Sequence, residues 1–183
     1  MLIASEREIT MKQFFRIINL NNWLSDAKIA NRNELLEICD RIIHRDSLRK
    51  MILHILNNPD DEDFNYASVS AYNLNMEVTE LIFNSIKQNP IKHSCYLSYV
   101  CNNPEYANQL IKIYEEILPL DDLASGMGDL LFAESLSQEH RCLEFILDEL
   151  KNYPLMGEKL VLTALKSPVV RERIIACRVL EEW

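Results

Sequence analysis

Apolar residues recur along the chain at i, i+3, i+4 and i+7. Met11, Phe14, Phe15 and Ile18 keep this spacing, as do Leu35, Ile38, Cys39 and Ile42, and Leu48, Met51, Ile52 and Ile55. Ala107, Leu110, Ile111 and Tyr114 repeat it, followed by Leu143, Ile146, Leu147 and Leu150. Because 3.6 residues complete a turn, such positions share one face of an α-helix. No segment alternates apolar and polar residues long enough to make a strand. The first glycine is Gly126, so the preceding chain has few positions suited to hairpins or phosphate-cradling loops. The pattern predicts an all-α protein.

Helix starts are marked by Asn58-Pro59, Asn89-Pro90, Asn103-Pro104 and Ser167-Pro168. Each pairs a good N-cap with proline at the first helical position, where the missing N–H costs nothing. Asp60, Asp61, Glu62, Asp63 and Glu105 follow two of these signals and suit the positive end of a helix dipole. Asn33, Ser47, Asn75 and Ser137 are further candidate caps. These signals predict helices near 6–19, 22–30, 34–45, 48–57, 60–74, 76–88, 91–101, 104–118, 121–134, 138–151, 156–166 and 168–183. Short connections make successive helices antiparallel neighbours. No Pro/Gly/Ser-rich linker divides the chain, so residues 1–183 read as a single helical repeat domain.

Composition narrows the function. The hydrophobic fraction of 48% and charged fraction of 26% suit a globular protein. A net charge of −9 repels phosphate backbones and anionic membranes on average, making nucleic acid an improbable partner. No apolar run reaches the length of a membrane span. The five cysteines are odd in number and include no C-x-x-C pair, which reads as reduced core thiols. Charge arrives too early in Met-Leu-Ile-Ala-Ser-Glu-Arg-Glu for a signal peptide. The expected location is cytoplasmic.

Two segments share more than helical period. Leu56-x-x-Pro59 is followed by Ala67, and Leu165-x-x-Pro168 by Ala176, with the alanine eight residues past the proline in both. A proline turn, then a small residue where the second helix crosses its neighbour, is the pattern of a stacked helix pair. Through Leu165, Pro168, Arg173, Ala176 and Leu180 the C-terminal copy resembles a HEAT repeat. Glu172 stands where that repeat usually has valine, and Phe64 replaces the arginine in the earlier copy. The resemblance implies antiparallel helix pairs stacked as a short HEAT-like or armadillo-type α-solenoid. The tail is also similar to bacterial helical-repeat proteins labelled limonene hydroxylase, although the chain has no oxygenase ligand set.

Motifs for chemistry are sparse, and neither a catalytic set, a metal site nor a cofactor is expected. Glu37, Asp40 and His44 share a helix face, but the Glu-x-x-His of di-metal bundles is missing, and a solvated Asp–His pair explains them. His93, Cys95 and Cys101 match no zinc knuckle; the cysteines read as core. Ser125-Gly126-Met127-Gly128-Asp129 lacks the Gly-Lys-Ser/Thr ending of a phosphate loop and reads as an inter-helix turn. Arg171, Arg173 and Arg178 concentrate positive charge on the last helix. Directed one way they would grip a carboxylate or phosphate; interleaved with Glu172, Glu181 and Glu182, they read as a solvated, salt-bridged face.

The sequence thus favours a non-enzymatic protein–protein interaction or scaffold module. Its partner-binding candidates are Arg171, Arg173 and Arg178, together with Asp60, Asp61, Glu62 and Asp63. The expected partner is a protein offering a basic or amphipathic segment. The alternatives are a HEAT-like enzyme such as a DNA glycosylase, and a helical bundle holding a small apolar ligand.

Overall fold

A computed structural model describes residues 9–126, 128–131 and 137–183. They are predominantly helical and contain no strand; one isolated parallel bridge pairs Leu130 with Val169. The chain divides into two compact units, Met1–Leu81 and Ile82–Trp183, the boundary falling in the sequence of α5 (Thr79–Gln88).

The first unit holds α1 (Met11–Asp26), α2 (Arg32–Ile43), α3 (Asp46–Leu56) and α4 (Phe64–Asn73). Helix α1 packs against α2, α3 and α4, and α3 packs against α4. Thr10 opens α1 with a capping box: its hydroxyl accepts the Gln13 N–H at 3.3 Å, and the Gln13 side chain accepts the Thr10 N–H at 3.0 Å. Where the spacing predicts two helices, 6–19 and 22–30, one helix runs through Asn21 and Asn22 and brings Leu24 into the core. Residues 6–8 lie outside the described residues.

Several expected helix starts in this unit are corrected: Asn33 and Ser47 lie inside α2 and α3, whose N-cap positions are Asn31 and Arg45, and Asn58-Pro59 opens no helix. Asn75 is not an N-cap but ends α4. At φ +49° it lets its own N–H reach Tyr72 O (3.0 Å) and the Met76 N–H reach Ala71 O (2.9 Å). This is a Schellman motif, in which asparagine tolerates the left-handed position. Helix α4 begins at Phe64, so Asp60, Asp61 and Glu62 precede it and Asp63 is its N-cap residue. The Asp63 N–H is diverted to the Asp61 carboxylate at 2.9 Å, a turn that competes with helix.

The second unit is built on α10 (Gln138–Leu150). Cys142, Leu143, Ile146, Leu147 and Leu150 along it are fully buried. It packs against α6 (Pro90–His93), a 3-10 turn over Ser94–Tyr96, α7 (Leu97–Val100), α8 (Pro104–Ile117), α11 (Glu158–Leu165) and α12 (Val170–Glu182). Asn89 and Asn103 cap α6 and α8 by accepting the Lys92 N–H (3.2 Å) and the Glu105 N–H (2.9 Å), each with proline next in sequence. The helix expected over 91–101 is therefore interrupted by the 3-10 turn. The one expected over 121–134 is α9 (Leu120–Leu123), with non-helical chain at 124–126 and 128–131; Met127 and residues 132–134 lie outside the described residues. No described helix is long and apolar enough to cross a membrane.

Candidate functional site

Helix α12 carries the arginine concentration, and its position is fixed from two directions. It packs on α11 across the connection Lys166–Val169. Buried Ser167 accepts the Val169 N–H through its hydroxyl at 3.0 Å. The connection is thereby turned so that Val169, rather than Ser167, precedes the helix. Ala176, the small residue expected at a helix crossing, is fully buried.

The second constraint is the glycine loop after α9. Leu130 O accepts the Val170 N–H at 2.7 Å, closing the amino end of α12, and the Gly126 N–H donates to Lys166 O at 3.0 Å. A side chain at Gly128 would place its Cβ 3.0 Å from Pro168 Cβ and 3.1 Å from Pro168 O, so the close approach depends on glycine. Arg173 ties both pieces together: Nη1 donates to Ser167 O at 2.6 Å and Nη2 to Gly128 O at 2.8 Å. At its described residues, 125–126 and 128–129, the glycine segment is non-helical.

Inward, α12 presents Ile175, Ala176, Val179 and Glu172, all buried. The Glu172 carboxylate is 2.8 Å from His140 Nδ1 on α10, and its second oxygen has no hydrogen-bond partner among the described residues. Glu172 is thus no part of a solvated face, which corrects the sequence reading. The signal was its place at a position the HEAT pattern fills with valine: an acid on a buried face needs a buried partner.

Outward, Leu131, Asp148, Val170, Arg171, Ile174 and Arg178, with the edge of buried Ile175, line an open groove of about 380 Å³. Ile174 is 47% exposed and Leu131 64%. Arg171 is held loosely, its Nε 3.7 Å from Glu144 Oε2. Asp148 is taken by Lys151 Nζ at 2.7 Å, while Arg178 makes no ion pair or hydrogen bond among the described residues. A second hollow of about 340 Å³ on the same helix is lined by Val170, Arg173, Ile174, Cys177, Arg178 and Glu181. Val170, Ile174 and Arg178 border both. The three arginines therefore divide: Arg171 and Arg178 line the groove, and Arg173 is committed to backbone.

The remaining candidates belong to other elements. Asp60 to Asp63 lie in the first unit, between α3 and α4. His44 Nδ1 is 3.1 Å from the Asp40 carboxylate, both exposed, a geometry worth little in water. His93 is buried and stacked on Tyr96. Cys101 is buried, and loss of solvent, reinforced by Glu149, pushes its thiol up to about 12. Cys95 is exposed, contrary to its expected core position. Among the described residues no three His, Cys, Asp or Glu side chains gather as metal ligands.

Comparison with protein-family models, curated proteins and solved structures finds no significant match.

Proposed function

We propose that the chain is a non-enzymatic protein-binding module of HEAT-like, α-solenoid type, with α11 and α12 as a repeat and the outer face of α12 as its contact surface. One observation carries the reading: α12 leaves Ile174 exposed between Arg171 and Arg178, with exposed Leu131 beside it in the groove, on a helix whose other face is fixed in the core. An apolar strip with flanking arginines is the composition of protein interfaces, where arginine and large apolar side chains supply most of the affinity. The proline turn, the Arg173 clamp and buried Ala176 support the repeat assignment. Stacked helix pairs expose such surfaces with no need for a reactive residue.

The test is affinity capture with the intact chain, followed by reconstitution from purified components. A partner is expected that binds the chain directly and is lost with Ile174→Asp and Leu131→Asp together. Failure to reconstitute any captured protein refutes the reading, as does DNA binding that falls steeply with salt.

A further inference from the structure

We infer that the groove beside α12 receives an acidic amphipathic helix, its carboxylates seated on Arg171 and Arg178 and an apolar side chain on Leu131 and Ile174. The inference rests on the protein-binding reading of that face and specifies what the partner offers there. It departs from the basic segment expected from net charge, because local charge is of the opposite sign to the average. The chain carries −9 overall, but Asp148 is satisfied by Lys151. Arg171 keeps only a 3.7 Å approach to Glu144, and Arg178 has no charged partner among the described residues. Among the described residues the unspent charge in the groove is positive. A lysine-bearing segment would meet two guanidinium groups; a glutamate-bearing one would pair with both.

The spacing argues for a helix. Arg171 and Arg178 are two turns apart on α12, about 10.5 Å along its axis at 1.5 Å per residue, with Ile174 between them. A helix lying alongside presents the same interval when glutamates stand at i and i+7 and leucines at i+3 and i+4. The groove of about 380 Å³ falls near the lower end of ligand-pocket sizes, about 300–1,000 Å³. Open along the helix, it suits side chains from a neighbouring rod.

Fluorescence anisotropy with the purified full chain tests this. Three labelled helical peptides share the leucines and differ at i and i+7, with glutamate, glutamine or lysine. The glutamate peptide is expected to bind about tenfold or more tightly than the glutamine one, and the lysine peptide weakest of all. Arg171→Ala with Arg178→Ala should remove that preference. Arg171→Glu with Arg178→Glu should reverse it in favour of lysine, a gain that a misfolded variant cannot mimic. Equal binding of glutamate and lysine peptides overturns the inference, as does unchanged affinity in the double alanine variant. Sedimentation showing a dimer that the same double variant dissolves also overturns it, by making a second copy the occupant. If no peptide binds while a reconstituted partner still depends on Ile174 and Leu131, the acidic helix is refuted and the protein-binding face stands.

Discussion

Replacing Arg173 by alanine tests the architecture that holds α12 in place. The guanidinium donates to Ser167 O at 2.6 Å and to Gly128 O at 2.8 Å. A hydrogen bond from a charged donor contributes about 1.5–3 kcal/mol. Arg173 is half-buried and water can reach part of the site, so the lower figure applies and both bonds together come to about 3 kcal/mol. The side chain also joins the 166–169 connection to the glycine loop, which alanine cannot do. Lysine keeps the charge but lacks the rigid fork that spans two carbonyls; it should recover about half the loss. Trp183, whose indole N–H donates to Leu150 O at 3.0 Å, reports on the second unit. A Trp23→Phe background removes the other tryptophan, an exposed residue of the first unit. In urea, with a slope of about 1–3 kcal/mol per molar, Arg173→Ala should lower the midpoint by about 1–3 M. A midpoint moved by less than about 0.2 M at unchanged slope, or lysine as stable as arginine, would falsify the clamp.

Gly157 sits at φ +69°, and an added Cβ would lie 2.9 Å from Leu150 Cδ2 and 3.2 Å from Ile111 Cγ2. Gly157→Ala should therefore cost about 2–4 kcal/mol from backbone strain and overpacking, seen in calorimetry as a Tm lower by about 4–16 °C; an unchanged Tm rejects the packing argument. Alkylation of the native protein should modify Cys95 and Cys177, which are exposed, and spare Cys39, Cys101 and Cys142 until denaturant is added; peptide mapping that finds native Cys101 modified contradicts its burial. Loss of solvent, with Asp148 adding and Lys151 opposing, raises the Glu149 carboxyl above 4.5 in the folded chain. Folding then binds this proton more tightly, so the associated stability is full below the unfolded pKa and lost as pH rises through the folded one. Glu149→Gln should accordingly gain on the parent protein between about pH 4 and pH 7; parallel urea midpoints over that interval would disprove it.

Much of the helical content was legible because burial imposes a period. Ala107, Leu110, Ile111 and Tyr114 are all buried, as are Leu143, Ile146, Leu147 and Leu150, and the Asn-Pro caps at 89–90 and 103–104 act as capping chemistry dictates. Local signals failed where two local structures competed. Asn75 suits a helix end as well as a start, and the Asp61 carboxylate takes a backbone N–H that would otherwise enter α4. The extent of the helix after Pro119 depends on contacts with residues 166–173, which no sequence window contains. At the candidate site, the exposed cations Arg171 and Arg178 were readable. The groove was not, since Leu131 and Asp148 reach it from other segments. Arg173 gave no hint of its separate role, because its partners are main-chain carbonyls that carry no sequence signature.

The amino end of α12 is closed by Leu130 and held through Gly128, 45 residues upstream of Arg173. The hairpin from Glu158 to Glu182 is consequently not a portable brick. Copied into another scaffold alone, it would arrive with the Val170 amide bare and the Arg173 fork half empty. Any lengthening of this molecule by duplication must carry the glycine segment along, so its transferable module starts at Gly126, well before the two helices it serves.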